Sequence, residues 1–153
     1  NLKTYFHTRA GTNRAVDDIS FSIDKGEIVG VVGESGSGKS VTCHTMLGLL
    51  PQPPAKVEGG SITFDNEELL DLPEPFLRAI RGKRISMIFQ DPMESLNARH
   101  SIGDILEEPL IIHKQGNAGE RARRVTELLD LVGLPTRSRT RYPFEFSGGQ
   151  RQR

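Results

Sequence analysis

Short apolar runs separated by glycine, proline or charged residues predict a strand-rich first half of the chain. Five segments have the pattern of a strand: Leu2 to Phe6, Ala15 to Ile23, Glu27 to Val32, Ser61 to Asp65 and Arg84 to Phe89. The second alternates loosely between apolar and polar residues, which predicts a half-buried strand. The third follows a turn at Lys25-Gly26, and its β-branched composition favours a strand that is buried on both faces. The fifth is also strongly apolar.

The spacing of apolar residues and the flanking residues predict helices between and after these strands. Four segments fit: Lys39 to Leu50, Pro73 to Arg81, Ile102 to His113, and the stretch from Asn117 to Val132. Ser101 can cap the third helix, with Glu107 or Glu108 loosely at the position of a capping box. Asn117 can cap the fourth, which ends at Gly133. We expect irregular structure at residues 90–99 and 135–146, and an α/β class with a parallel component.

Composition narrows the class of protein. Twenty basic and twenty acidic residues among 153 give a formal net charge of zero, which disfavours a nucleic-acid binder. The single cysteine excludes an internal disulfide and a zinc site built from cysteines. Apolar runs such as Ile28 to Val32 are far shorter than the roughly 20 residues that cross a bilayer. We expect a soluble cytoplasmic chain, and a piece of a longer protein, because it lacks an initial methionine and a final helix stop.

Residues 33–40 carry the clearest chemical motif, G-x-x-x-x-G-K-S/T, between a predicted strand and a predicted helix. Glycines allow backbone N–H groups to converge on phosphate, and the helix start adds its positive end. Lys39 would reach the β- and γ-phosphates of a nucleotide, and Ser40 would ligate Mg²⁺. Val41 breaks the G-x-G-x-x-G spacing of dinucleotide sites. The predicted nucleotide-binding residues are Gly33, Glu34, Ser35, Gly36, Ser37, Gly38, Lys39, Ser40 and Val41.

Two later motifs carry a family resemblance. Residues 146–150 read Phe-Ser-Gly-Gly-Gln, and residues 89–92 read Phe-Gln-Asp-Pro at the end of the fifth predicted strand. Together with the phosphate loop, in this order, they resemble the ATP-binding domain of ABC transporters over essentially the whole chain. A helix that opens at Ser147 also offers a hydroxyl and N–H groups to an anion. An ordinary glycine-rich helix cap is the alternative for that segment taken alone.

The resemblance implies the P-loop NTPase fold of ABC ATPases, incomplete at its C-terminal end. Residues 1–90 would hold the N-terminal strands, phosphate loop and core, residues 91–146 the glutamine loop and helical subdomain, and residues 147–153 the start of the signature helix. The family's catalytic positions fall on Lys39 and Gln90, and Gln90 joins Ser40 as a Mg²⁺ ligand. The signature residues Ser147, Gly148, Gly149 and Gln150 would act across a head-to-tail dimer with a second ABC ATPase, identical or different.

Six segments carry a narrower resemblance, because their sequences are similar to those of the oligopeptide, dipeptide and nickel importer branch. This branch includes glutathione importers. The segments are Gly33 to Thr42, Gly48 to Pro51, Ile80 to Gly82, Met87 to Met93, Ser95 to Asn97, and Arg141 to Pro143. This branch implies ATP hydrolysis that drives import of a solute, with peptides as the expected class, through transmembrane permease subunits. The ATPase would lie on the cytoplasmic side of the membrane. The alternatives are a non-transport ABC ATPase of DNA repair or translation, and a nucleotide-binding fragment without turnover.

Some features depart from the family or leave alternatives open. The usual adenine-stacking position falls near Ala10-Gly11, which is not aromatic, so Tyr5 or Phe6 would substitute unless both pack in the core. The family's Mg²⁺-holding Asp, its water-polarising Glu and its switch His have no counterpart in the chain, so we expect no turnover from these residues alone. Two arginine groups, at positions 121–124 and 137–141, predict solvated faces or a partner contact. Residues 91–113 are expected to dock the membrane subunit.

Overall fold

The computed structural model describes residues 1–91 and 95–153, and the chain divides into two units, Asn1–Arg81 and Gly82–Arg153. Pro92, Met93 and Glu94 lie outside the described residues. The predicted irregular stretch at 90–99 is therefore described only at its two ends.

The first unit is built on an antiparallel sheet of three strands in the order β2-β1-β3. The strands are β1 (Leu2–Thr8), β2 (Gly11–Ile19) and β3 (Ala55–Gly59). The first prediction is confirmed, whereas β2 begins and ends earlier than predicted and β3 was not predicted. Pairing explains the shift, because β2 is matched to β1 from Thr8↔Gly11 to Leu2↔Ile19. Phe21 lies beyond the end of β1 and is half exposed.

One face of this sheet packs against the helix α1 (Lys39–Met46). The hydroxyl oxygens of Thr4 and Thr45 lie 3.2 Å apart in the buried contact between β1 and α1. The helix ends before the predicted Leu50 because Gly48 takes a left-handed conformation with φ 59°. The apolar core of the unit consists of Leu2, Val16, Leu47, Ala55, Leu69 and Ile80.

The rest of the first unit is a small hairpin and a short helix. Strands β4 (Thr63–Phe64) and β5 (Glu67–Glu68) replace the longer strand predicted from Ser61 to Asp65. The chain turns there because Asp65 and Asn66 both adopt positive φ, as the type I′ two-residue hairpin loop requires. Helix α2 (Glu74–Ile80) begins after Pro73, close to its predicted start.

The two strongly apolar segments do not form the strands predicted for them. Within the described residues, Glu27 to Val32 and Arg84 to Phe89 belong to no sheet, and every strand pairing is antiparallel. The side chains of Ile28 and Ile88 are 97% and 98% exposed. A strand needs a neighbouring backbone to accept its hydrogen bonds, and apolar composition alone cannot supply one. The parallel component predicted for the core is therefore not formed by the described residues.

The second unit is helical, and its two long helices match the predictions closely. Helix α3 (Ile102–Ile112) and helix α4 (Ala118–Leu131) are followed by 3₁₀ turns at Thr136–Thr140 and Pro143–Glu145 and by the short helix α5 (Gly148–Arg151). Val125 and Leu129 are fully buried on α4. Gly133 ends α4 with φ 70°. No helix in the described part of the chain is long and apolar enough to cross a membrane.

The caps of these two helices have well-defined partners. Ser101 caps α3 and forms a capping box with Asp104, so the predicted partners Glu107 and Glu108 are wrong. The box spans the cap residue and the third helical residue, and Asp104 stands at that spacing. Asn117 caps α4 as predicted and forms its box with Glu120.

Candidate functional site

The phosphate loop contains two glycines in conformations that other residues avoid. Gly36 has φ 83° and Gly38 has φ 90°. A Cβ atom on Gly38 would lie 2.2 Å from the carbonyl oxygen of Ala15, which is backbone and cannot move aside cheaply. A tight turn inside the loop is closed by a 3.2 Å hydrogen bond from Ser37 N–H to Glu34 O. The loop therefore has this shape only with glycine at these positions.

The side chain of Lys39 lies along the loop. Its ammonium donates hydrogen bonds to the carbonyl oxygens of Gly33, at 2.7 Å, and Glu34, at 2.8 Å. It also contacts the Ser37 hydroxyl oxygen at 3.2 Å. An ammonium has three donors and no acceptor, so it seeks oxygen atoms in this arrangement. Phosphate oxygens brought into the loop would be acceptors of the same kind.

The start of α1 has no side chain closing it. Gly38 is the N-cap residue and provides no side-chain hydrogen bond to the first turn. The N–H groups of the first turn have no acceptor within the helix, and they carry the positive end of the helix dipole. Ser40 is exposed in this turn, and Val41 is half-buried behind it. An uncapped helix start behind a glycine loop can bind an anion such as phosphate.

Gln90 lies in the second unit, at an exposed bend that follows residues 86–89, which form no strand. The next residue, Asp91, accepts a 2.6 Å hydrogen bond at its carbonyl oxygen from the Ser95 hydroxyl. The amide of Gln90 is accessible. Ser40 and the rest of the phosphate loop belong to the first unit.

The signature segment begins α5 with a capping box. Ser147 Oγ accepts a 3.4 Å hydrogen bond from Gln150 N–H, and Gln150 Oε1 accepts a 3.1 Å bond from Ser147 N–H. The N–H of Gln150 is therefore not free for an anion, in contrast with the open start expected from the sequence. The hydroxyl hydrogen of Ser147 stays available, because Oγ acts as an acceptor in the box. A Cβ on Gly148 or Gly149 would meet nothing within 4 Å.

Two arginines expected at solvated faces are instead paired with a carboxylate that sequence reasoning did not single out. Arg121 and Arg139 both contact Glu107 of α3. Arg123 and Arg137 are exposed as expected. The partners are 14 and 32 residues apart from Glu107, so no local spacing rule could have found the pairs.

Tyr5 does not pack in the core, which was one of its two predicted roles. Its hydroxyl donates a 2.6 Å hydrogen bond to Asp17 Oδ1, and the Arg14 guanidinium lies 5.4 Å from its ring centre. The hydrogen bond raises the pKa of Tyr5 and lowers that of Asp17. Phe6 is half-buried beside it. Adenine stacking on either ring stays a prediction.

Clusters of the side chains that most often bind metals are absent from the described part of the chain. No three His, Cys, Asp or Glu side chains lie together there as a metal site would require. The two residues predicted to ligate Mg²⁺, Ser40 and Gln90, are both exposed and both offer oxygen atoms.

Comparison with known proteins places this loop, bend and signature in a family. The family model described as "ABC transporter" matches residues 16–153. The chain belongs to the ABC transporter family. Solved ABC cassettes have the same fold: the dimeric structures of MJ0796, one described as a bacterial ABC transporter cassette and one as a post-hydrolysis state bound to ADP and Pi, each superpose with a TM-score of 0.81. They share 28% sequence identity with this chain and cover 99% of it, and the chain covers 63% of theirs.

Curated relatives of this chain are named as ATP-binding proteins of transport systems, several of them for dipeptides or oligopeptides. The chain is 47% identical to the dipeptide transport ATP-binding protein DppD of Bacillus subtilis and 46% identical to the oligopeptide transport ATP-binding protein OppD of Escherichia coli. It is 48% identical to the peptidoglycan transport ATP-binding protein YejF of Agrobacterium fabrum. All three alignments include the whole chain, which covers 46%, 45% and 28% of the respective relatives. The chain thus spans about half the length of the first two.

Proposed function

We propose that this chain is the nucleotide-binding part of an ATPase subunit that powers import of peptides through an ABC transporter. The subunit would lie at the cytoplasmic side of the membrane, bound to permease subunits. ATP hydrolysis would supply the energy, in a dimer with a second ABC ATPase. The names of the relatives support peptides as the class of solute.

The observation that carries the proposal is the open start of α1 behind the phosphate loop. Gly38 leaves the first-turn N–H groups uncapped, and the Lys39 ammonium already bridges oxygen atoms inside the loop. A polyphosphate would accept hydrogen bonds from the N–H groups and would replace Gly33 O and Glu34 O as the partner of Lys39. Binding therefore exchanges neutral carbonyl acceptors for charged ones, which form stronger hydrogen bonds with an ammonium.

Magnesium fits the side chains offered for it. Mg²⁺ prefers hard oxygen ligands and is usually held by one or two protein groups together with water and phosphate oxygens. The Ser40 hydroxyl and the Gln90 amide oxygen are such ligands, and both are exposed. When bound, the ion would neutralise charge that develops on the transferred phosphoryl group. Lys39 would add a second positive charge at the same phosphates.

The signature segment would act on a nucleotide held by the other subunit of the dimer. Ser147 can donate its hydroxyl hydrogen while its oxygen keeps the box closed, so phosphate binding need not open α5. The absence of side chains at Gly148 and Gly149 leaves room for a phosphate group to approach the backbone. The dimeric arrangement of the MJ0796 cassettes supports this proposal.

The outer face of α3 supports docking of a membrane subunit on residues 91–113. Ile111 and Ile112 are 53% and 58% exposed, which is unusual for side chains of this size next to each other. They line a shallow groove with His100, Asp104, Glu107 and Glu108. A helix with an apolar stripe and basic residues at its edge would match these isoleucines and carboxylates.

Lys39→Ala in the complete subunit tests the ATPase proposal. We expect ATP turnover to fall by at least about a hundredfold, because the variant loses the cation aimed at the β- and γ-phosphates. Steady-state phosphate release and binding of a fluorescent ATP analogue measure the two losses. Lys25→Ala removes an exposed lysine from the turn before the same loop and serves as the control. Unchanged turnover in Lys39→Ala would refute the assignment.

Ser95→Cys tests the docking proposal. Ser95 is an exposed described residue of the stretch 91–113, and the exposed Cys43 is first replaced by serine. We expect a bifunctional thiol reagent to link position 95 to a permease subunit in the assembled transporter. Glu127→Cys, on the exposed side of α4, is the matched control and should not give this product. Crosslinks from position 95 that reach only the second ATPase would contradict the proposal.

A further inference from the structure

A single carboxylate joins three elements of the second unit. Glu107 lies on α3, and its side chain is 19% exposed. Its Oε1 atom is 3.1 Å from Arg121 Nε on α4, and its Oε2 atom is 3.5 Å from Arg139 Nη2 in the 3₁₀ turn Thr136–Thr140. Arg121 is 21% exposed, and it also donates a 2.8 Å hydrogen bond to Gly116 O. The Glu107 carboxylate therefore contacts two arginines from separate segments of the chain at the same time.

This ion pair differs from the surface pairs of the same unit. Arg124 and Glu127 lie 3.0 Å apart within one turn of α4, with side chains 52% and 61% exposed. Solvent screens such a pair, and it contributes little to stability. Glu107 and Arg121 are largely shielded, so removing Glu107 leaves the Arg121 guanidinium partly buried without its carboxylate. The shielded pair can hold α3 and α4 in register, whereas the exposed pair lies within one helix.

Close packing fixes Arg139 from a second side. A Cβ atom on Gly103 would lie 2.4 Å from Arg139 Cγ and 2.8 Å from its carbonyl oxygen. The backbone at the start of α3 thus rests directly on the 3₁₀ turn. The position of Arg139 is set by this contact and by Glu107, four residues further along the same helix.

The turn held in this way leads directly to the signature segment. Arg141 follows the turn, and its carbonyl oxygen accepts a 2.8 Å hydrogen bond from Ile102 N–H at the start of α3. The Arg141 guanidinium covers the ring of Phe146 at 4.5 Å, and Phe146 is buried. Ser147 is the next residue. The start of α3 and the start of the signature are consequently connected through Arg141 and Phe146.

We propose that Glu107 is a positioning residue for the signature segment. By holding the turn Thr136–Thr140 against α3 through Arg139, it keeps Arg141 over Phe146 and so fixes where Ser147 begins α5. The expected effect of Glu107 on turnover rests on the proposed function. Its expected effect on the stability of the signature cap does not, because that effect follows from the contacts through Arg139, Arg141 and Phe146 alone.

Glu107→Gln tests the structural part by hydrogen exchange of the folded protein. The amides of Gln150 and Arg151 are hydrogen-bonded to Ser147 O, so their exchange reports the opening of the signature cap. We expect exchange at these amides to become about tenfold faster in Glu107→Gln. Arg139→Gln keeps the pair between Glu107 and Arg121 and should also speed exchange at these amides. It provides the test if Glu107→Gln does not fold. Unchanged exchange in a folded variant would overturn the proposal.

Turnover in the assembled transporter tests the catalytic part. We expect kcat to fall by about tenfold in Glu107→Gln, with ATP binding by the lone subunit unchanged, because the signature acts on the other subunit's nucleotide. Equal losses in lone-subunit binding and in kcat would indicate a general folding defect and overturn the positioning role. If the wild type itself lacked turnover, the proposed function would fail while the exchange result still decided the structural claim.

An exposed pair in the same unit provides the matched control for both measurements. Glu127→Gln removes a carboxylate of similar kind from α4 and breaks only the exposed pair with Arg124. It should leave exchange and kcat unchanged. The double variant Glu107→Gln/Arg139→Gln should be no worse than Glu107→Gln alone, because Glu107→Gln already removes the contact with Arg139. Additive losses would contradict a shared path through Arg139.

Discussion

The starts of α1 and α4 treat their N–H groups in two different ways. Every helix begins with N–H groups that lack an acceptor. At α4 the Asn117 side chain and Glu120 close the start reciprocally, so the protein satisfies its own donors. At α1 Gly38 provides no side chain, and the donors are left for something else. A capped start stabilises the fold, and an uncapped start behind a glycine loop can bind a ligand.

The signature helix α5 lies between these two cases. It has a full capping box, like α4, but its cap bond from Gln150 N–H is long at 3.4 Å, and two glycines follow the cap. In α4 the corresponding positions are Ala118 and Gly119. The comparison suggests that a box can hold a helix start and still leave a hydroxyl hydrogen and open backbone for an anion.

Gly149→Asp has the largest expected effect on this comparison. A carboxylate at the second helical residue would repel a phosphate approaching the signature, so ATP-dependent dimerisation and turnover should fall by at least about a hundredfold. ATP binding by the lone subunit should persist, because the phosphate loop is intact. Light scattering with ATP, phosphate release and nucleotide binding measure the three quantities.

Gly119→Asp is the matched control, because Gly119 occupies the same position behind the cap of α4. An acidic residue in a first helical turn is favourable, so both variants should fold. Only the change at position 149 should affect turnover. If Gly149→Asp abolished lone-subunit binding as severely as Lys39→Ala, the signature would not act across the dimer.

Asn117→Ala should separate a structural cap from a functional helix start. We expect the free energy of unfolding to fall by about 1 kcal/mol, the usual cost of losing an N-cap side chain. Nucleotide binding should stay as in the wild type, since the cap serves only the start of α4. Denaturant unfolding and a binding titration measure the two properties. A loss of binding comparable with that of Lys39→Ala would break the distinction drawn between α1 and α4.

The capping box of α3 gives the smallest expected effect, a dependence of stability on acid pH. The pKa of Asp104 is lowered, first by the hydrogen bond from the Ser101 hydroxyl and then by the bond from its backbone N–H. Because the folded-state pKa lies below the unfolded value of about 3.9, the stabilisation is complete above that value. It is lost as the pH falls through the folded-state pKa.

Thermal unfolding of wild type and Asp104→Asn, from neutral pH into the acid range, measures this contribution. Asp17, Glu58 and Glu74 also have lowered pKa values, but they are present in both proteins and cancel in the difference. The wild type should lose more thermal stability than Asp104→Asn between neutral and acid pH, because only the wild type has the Asp104 carboxylate to protonate. Parallel curves would mean that the Asp104 carboxylate does not stabilise the start of α3.

Local signals predicted the helical parts well and the strands unevenly. Ser101, Asn117 and Gly133 mark helix ends through bonds or torsions within a few residues, and the structure has these ends where they were expected. Strand β3 was missed because its pairing with β1 joins Tyr5 to Lys56, which no local pattern encodes. The apolar run from Ile28 to Val32 was predicted as a strand from composition alone, and the described residues offer it no partner.

The same division applies to the candidate site. The phosphate loop is encoded almost entirely in sequence, because glycines at Gly36 and Gly38 fix torsions that few other residues adopt, and Lys39 folds back over its own loop. The signature motif is likewise contiguous. The sequence by itself therefore determined the chemistry offered to phosphate and the identity of the family's motifs.

Only the tertiary structure decided what surrounds those motifs. The carbonyl of Ala15 excludes any side chain at Gly38, and this contact depends on the chain bringing the two residues together from different elements. Glu107 meets Arg121 and Arg139 only after α3, α4 and the turn Thr136–Thr140 have packed. Ion pairs and close backbone approaches act through space, whereas sequence patterns report neighbours along the chain. That difference is why the loop could be predicted and its supports could not.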